Sequence, residues 1–257
     1  MGRKKPGEYS DICNISGTEE NTMTNPSGPY PGRQLFLGLT VDRRPCFVYL
    51  ITGRSPESRQ RKAIPVENTV RIGPLGDTPY DPLRHYTAVK YDRITGLAVV
   101  SNGIQTEAIY ETYRLLFNVD TAATKDFMEK ILEGADAEPD SLHTPRIAGA
   151  VATAKDYPVF IVGIKTYHSP ALAYQVAPTA GNMSGIATYQ GSMDNPQPTN
   201  PSAALPEIEF DGSSPHDLAK HLYDMSAATY KGEDIRVCAV GGIYSGNSWD
   251  ISIINRY

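Results

Sequence analysis

Two carboxylates, a histidine and an arginine fall within nine consecutive positions, Glu138-Pro139-Asp140-Ser141-Leu142-His143-Thr144-Pro145-Arg146. Carboxyl and imidazole groups held by a guanidinium can move protons, so the segment qualifies as an acid–base group, although such loops are more often plain connections. A second cluster is cationic. Between residues 43 and 62 stand six basic side chains, Arg43, Arg44, Arg54, Arg59, Arg61 and Lys62, against the single acid Glu57. Gly53-Arg54-Ser55 follows an apolar run, and amides, a hydroxyl and guanidinium forks at a strand end suit a phosphate or carboxylate ligand. A solvated basic loop accounts for that composition equally well. The third signal is Ser101-Asn102-Gly103-Ile104-Gln105-Thr106-Glu107, where an apolar run turns into a helical pattern. Free amides at such a helix start favour anions, and an ordinary capped start explains the residues too.

The elements that must position these groups are mostly strands. Leu35–Val41 and Cys46–Thr52 are apolar runs joined by Asp42-Arg43-Arg44-Pro45, and Tyr86–Tyr91 with Leu97–Ser101 form a second predicted hairpin. Further runs lie at 147–153, 159–165, 172–176, 186–189, 235–242 and 249–254. Helices are fewer. The spacing predicts one over 106–117, with Ile109, Tyr113, Leu116 and Phe117 on one face. Asp120 caps a second that carries Phe127, Ile131 and Leu132 and stops at Gly134. Ser214-Pro215 opens a third with Leu218, Leu222 and Met225 as its apolar stripe. Hairpins with a few grouped helices indicate an α+β fold, and near-continuous apolar runs such as Val159-Phe160-Ile161-Val162 indicate sheets covered on both faces. Residues 1–28 read as an N-terminal extension and 29–257 as one domain. Residues 191–206, rich in Pro and Asn, are expected to form a long surface loop able to act as a lid.

Composition excludes several classes. The chain has 257 residues with 24 Lys+Arg against 29 Asp+Glu, an acidic balance that argues against a nucleic-acid partner. No apolar run approaches the roughly 18 residues of a membrane span, and no apolar segment follows the basic N-terminus as a secretory signal requires. Three cysteines, Cys13, Cys46 and Cys238, are too few for a disulfide framework or a zinc ribbon. A cytoplasmic location is expected. His216 and His221 are five apart and so on different helix faces, and no metal site is expected. Phosphate-binding loop, dinucleotide and nucleophile-elbow signatures are absent.

Taken in order, Gly32-Arg33-Gln34-Leu35-Phe36-Leu37-Gly38, Gly53-Arg54-Ser55-Pro56-Glu57-Ser58-Arg59, Val99–Glu107 and Thr144-Pro145-Arg146-Ile147-Ala148-Gly149 stop looking generic. The chain from about Pro29 to Ala150 resembles the archaeal-type IMP cyclohydrolase family, particularly its longer bacterial branch. The resemblance implies an N-terminal-nucleophile-hydrolase-like fold, a four-layer αββα sandwich. It also implies closure of the purine ring of 5-formamidoimidazole-4-carboxamide ribonucleotide (FAICAR) to IMP and water, without metal or redox cofactor. The family's catalytic Arg, Tyr and Glu match Arg59, Tyr86 and Glu138, and Arg54, Ser55, Asn102, Gly103 and Arg146 occupy positions expected to bind substrate. A homo-oligomer with FAICAR or IMP as its small-molecule partner is the corresponding expectation.

The chemistry fits these residue types. Fixing the carboxamide nitrogen against the formyl carbon is worth up to several kcal/mol. Arg59 or the Tyr86 hydroxyl would stabilise charge on the formyl oxygen, and Tyr86, water on Arg59 or protonated Glu138 would supply the proton for dehydration. Glu138 can equally orient the amide nitrogen and accept its proton. Three alternatives stay open: a non-catalytic nucleotide-binding relative, an enzyme for a similar imidazole nucleotide, and an amide hydrolase with Cys13 or Cys46 as a self-generated N-terminal nucleophile.

Overall fold

The computed structural model describes residues 30–92, 94–116, 121–153 and 157–257. The expected extension over 1–28, together with Cys13, Phe117 and the Asp120 cap, lies outside the described residues. The chain opens with β1 (Arg33–Leu39), β2 (Pro45–Thr52), α1 (Pro56–Arg59), β3 (Arg61–Val66) and β4 (Thr69–Pro74). Next come β5 (Tyr86–Tyr91), β6 (Ala98–Ser101), α2 (Gln105–Leu116), α3 (Thr121–Ala135), β7 (Arg146–Ala152), β8 (Val159–Lys165) and β9 (Leu172–Val176). The remaining elements are β10 (Asn182–Ala187), β11 (Tyr189–Gly191), β12 (Pro196–Pro198), β13 (Glu207–Glu209), α4 (Pro215–Met225), β14 (Thr229–Tyr230), β15 (Glu233–Asp234), β16 (Arg236–Tyr244) and β17 (Trp249–Asn255).

Two antiparallel sheets organise these strands, in the α+β manner expected. One has the order β13-β10-β1-β2-β16-β17, and the other places β3 to β9 side by side in chain order, with α2 and α3 between β6 and β7. Strand alternation sends the two faces of each sheet to different partners. Leu35 and Leu37 of β1 join Tyr49, Val100, Ile147 and Val162 in an apolar cluster shared by both sheets. Phe36, one residue out of phase, packs instead with Val48, Leu218 and Leu222 under α4. On the second sheet Val99, Ala150 and Ile161 meet Ile109 and Tyr113 of α2 and Met128 and Leu132 of α3. Both faces are apolar because both are covered, which explains the unbroken hydrophobic runs. Gly163 sets the closeness of one contact: a Cβ there would lie 2.7 Å from Leu132 Cδ1 and Met128 Cγ.

The structure departs from the sequence reading in three places. Residues 61–74 form the β3–β4 hairpin, where only a charge cluster was evident. The 191–206 stretch is no free loop, because β11 and β12 pair across it, Met193 is buried and Leu205 packs on the central cluster. Met225 is 38% exposed, so the apolar stripe of α4 ends at Leu222.

Candidate active site

A cavity of about 260 Å³ opens where the ends of β1, β2 and β3 converge. The chain around β1 contributes Tyr30 and Arg33, the end of β2 and α1 contribute Arg54, Ser55 and Ser58, and β3 contributes Arg61. The connection before β5 adds Asp81, Leu83 and Arg84, and the 138–144 segment adds Glu138, Asp140 and Thr144 beside Tyr189. This connection is anchored by His85, whose Nδ1 accepts the Asp81 backbone N–H at 2.8 Å. That bond requires the neutral ring with its proton on Nε2. Burial, then the charge of Arg61, holds the His85 pKa below its ordinary value.

Glu138 is the hub. Its side chain is 1% exposed and accepts from Arg33 Nη2, Arg146 Nη1 and Asn102 Nδ2, each at 3.3 Å. Its backbone N–H donates to Thr144 O at 2.8 Å, which fixes the turn that presents it. Burial pushes its carboxyl above the usual range, and Arg33 and Arg146 pull it part of the way back. Burial also opposes the charge on Arg33, yet Glu138 and the phenols of Tyr86, Tyr49 and Tyr189 hold its pKa well above the ordinary arginine value.

The residues singled out from sequence occupy different depths. Arg54 and Ser55 line the cavity, with Arg54 Nη1 donating to Met193 O and its guanidinium 5.7 Å from the Tyr30 ring centroid. Ser55 also caps α1, accepting from Ser58 N at 3.1 Å. Asn102 and Arg146 stand behind Glu138 rather than on the wall. The amide of Asn102 is fully engaged, with Nδ2 also donating to Pro145 O at 2.8 Å and Oδ1 accepting from Ile147 N at 2.9 Å and Gln105 Nε2 at 3.0 Å. Gly103 makes room for Arg146, because a Cβ there would sit 2.1 Å from Arg146 Nη1. The helix start, left open between an anion site and an ordinary cap, lies off the cavity; Ser101 Oγ accepts from Gly103 N at 3.3 Å and is 2.5 Å from Thr106 Oγ1. Tyr86 is buried, its hydroxyl 2.8 Å from that of Tyr49. Arg59 is buried and donates to the carbonyls of Arg54 at 2.9 Å and Gly53 at 3.3 Å; it is not among the residues lining the cavity.

Arg33 and Tyr189 were not singled out from sequence and Arg61 only as one of the basic cluster, although a signal existed for both arginines. Arg33 shares the inward parity of Leu35 and Leu37, and Arg61 shares that of Ala63. A charged side chain on the buried phase of a strand requires a partner. Tyr189 closes a chain in which Thr144 Oγ1 meets the Tyr189 hydroxyl and donates to Asp140 Oδ2 at 2.6 Å. Cys46, a candidate nucleophile on sequence, is fully buried in β2, and burial pushes its thiol up to about 12. A thiol so disposed is inert. Among the described residues no three or more His, Cys, Asp or Glu side chains converge on a metal-sized site.

Fold and cavity together define an α+β protein of antiparallel sheets whose cavity is lined by four arginines and three carboxylates, one of them the buried Glu138. Comparison with known proteins agrees. The family model described as IMP cyclohydrolase-like protein matches residues 30–248, and the chain belongs to that family. It is 29% identical over 230 residues to an IMP cyclohydrolase of Natronomonas pharaonis, covering 88% of this chain and 98% of that protein. An IMP cyclohydrolase of Methanocella arvoryzae is 26% identical over 229 residues, with the same coverage of 88% and 98%. That of Methanocaldococcus jannaschii is 35% identical over 121 residues, spanning 46% of this chain and 55% of the relative.

Proposed function

We propose that the protein is an IMP cyclohydrolase that closes FAICAR to IMP and releases water. The observation that carries this reading is the Glu138 carboxyl, buried among Arg33, Arg146 and Asn102 at a cavity with more guanidinium groups than carboxylates. In the reaction the carboxamide nitrogen forms the new bond to the formyl carbon and loses one proton. The formyl oxygen becomes a hydroxyl and leaves as water, while the formamide nitrogen gives up its proton and the ring double bond forms. Both reacting groups sit on one imidazole, so the protein's contribution is to hold them face to face and manage two protons.

Glu138 is suited to that traffic, because a carboxyl held above its usual range exchanges protons nearer neutrality. Tyr86 is assigned the polar hydroxyl behind the reacting centre, with Tyr49 as its partner. Arg54, Ser55 and Arg84 line the cavity and are only half-buried, and they are assigned the nucleotide's phosphate. Arg59 holds the carbonyls of Gly53 and Arg54, and so keeps the strand end that carries those groups in place. Asn102, Gly103 and Arg146 position Glu138 from behind.

The fold is proposed to be the four-layer αββα sandwich of N-terminal-nucleophile-hydrolase-like proteins. Support comes from one apolar cluster shared by the two sheets and two more that join each sheet to its helices. Incubation with FAICAR, followed by ultraviolet absorbance against a no-enzyme control, tests the function. Formation of IMP above the control is expected; unchanged FAICAR would refute it.

A further inference from the structure

Arg61 has a combination of properties that a purely structural arginine lacks. It lines the cavity yet is only 3% exposed. Its Nε donates to Ser58 O at 2.8 Å, which fixes the guanidinium plane, while Nη1 is buried with no hydrogen-bond partner. Among the described residues no carboxylate lies within ion-pair distance of it. Arg33 is close enough to depress its pKa after burial has done so, and Arg33 Nε is likewise without a partner. Arg33 and Arg146 both pair with the one carboxyl group of Glu138, and Arg61 is left without a carboxylate of its own. A buried cationic donor left unpaired is costly, and the protein retains two such nitrogens at one cavity.

We propose that Arg61 is a catalytic residue of this site, its free Nη1 receiving the negative charge that develops on the formyl oxygen when the new C–N bond forms. The proposal rests on the cyclohydrolase reading above. Arg59, two residues earlier, donates Nη1 to the carbonyls of Gly53 and Arg54 and does not line the cavity, so of the two it is Arg61 that faces it. The proposed phosphate donors are Arg54, Ser55 and Arg84, half-buried residues of the same cavity. Arg61 lies deeper, within electrostatic reach of Glu138 and of the Tyr49 and Tyr86 phenols. In the tetrahedral adduct the formyl oxygen accepts from Arg61 as the electron pair of the carbonyl moves onto it. Proton delivery and loss of water then proceed without Arg61 changing its protonation. A donor already fixed by Ser58 needs little reorganisation as that charge appears.

The test uses the full chain with Arg61→Met, Arg61→Lys and Arg61→Ala, reading kcat and KM for FAICAR and the rise in Tm caused by IMP. Removing one oxyanion donor is expected to lower kcat about 10²-fold in Arg61→Met, with KM much less affected. Added guanidinium ion is expected to restore part of the kcat of Arg61→Ala and to leave the wild type unchanged, which a packing role would not allow. Wild-type kcat in Arg61→Met overturns the proposal. So does intact kcat with a raised KM and lost binding of inorganic phosphate, since Arg61 would then be a phosphate ligand. If Arg61→Met fails to fold, Arg61→Lys and the guanidinium rescue decide the question, and absence of rescue in a folded Arg61→Ala counts against it. No turnover by the wild type would refute the cyclohydrolase reading itself, an outcome distinct from an active wild type matched by an active Arg61→Met.

Discussion

Glu138 has three side-chain donors and almost no contact with water, and its behaviour with pH should betray that. Because its pKa is raised in the folded protein, the folded state binds more protons than the unfolded state between the ordinary carboxylate value and the raised one. Its contribution to stability is therefore full below the ordinary value and is lost as pH rises through the folded one. Urea unfolding across that range should show the wild type losing stability relative to Glu138→Gln as pH rises; parallel curves would mean that Glu138 titrates normally. Gly103 makes a second residue-scale case. A methyl group added there meets Arg146, itself buried and tied to Glu138, so the guanidinium must move. Gly103→Ala is expected to cost about 1–3 kcal/mol, the usual range for overpacking, and to reduce activity. Unfolding midpoints measured beside FAICAR turnover will check both effects.

At the scale of elements, the cavity depends on a connection that a histidine holds down. Asp81, Leu83 and Arg84 reach the cavity from the chain between β4 and β5, and His85 Nδ1 accepts the Asp81 amide at its base. Burial and Arg61 depress the pKa of His85, while Asp81 opposes and Arg84 adds to the depression. The stability carried by this contact is present above the ordinary histidine pKa and lost as pH falls through the depressed one. Protection of the Asp81 amide from hydrogen exchange should therefore collapse in mildly acidic solution before the sheet amides do. Protection unchanged down to the pH of global unfolding would contradict this. The same scale shows what sequence could and could not reveal. β1, β2, β7, β8 and β16 were legible because both of their faces are apolar. β3 and β4 were not, because Arg61, Lys62 and Pro65 broke the pattern that marks a buried strand. Arg33 and Glu138 meet across 105 positions of chain, a pairing no local spacing announces. Arg59 shows the complementary difficulty: its place in a motif says nothing of whether its guanidinium faces ligand or backbone.

For the whole molecule, the two-sheet arrangement does more than bury apolar surface. The shared cluster centred on Leu35, Tyr49 and Ile147 brings β1, β2 and β7 against one another, so that Arg33 and Glu138 converge at one end of it. Charges set at the margin of so large an apolar core act through a medium of lower dielectric than water, which strengthens their mutual interaction. The most direct measurement is the turnover of FAICAR by the wild type beside Glu138→Gln, with the fold of each verified by Tm. IMP formed well above the uncatalysed rate by the wild type, and about 10²-fold or more slowly by the variant, is the expected result for loss of an acid–base group. Equal rates in the two proteins, or no IMP from the wild type, would contradict the account.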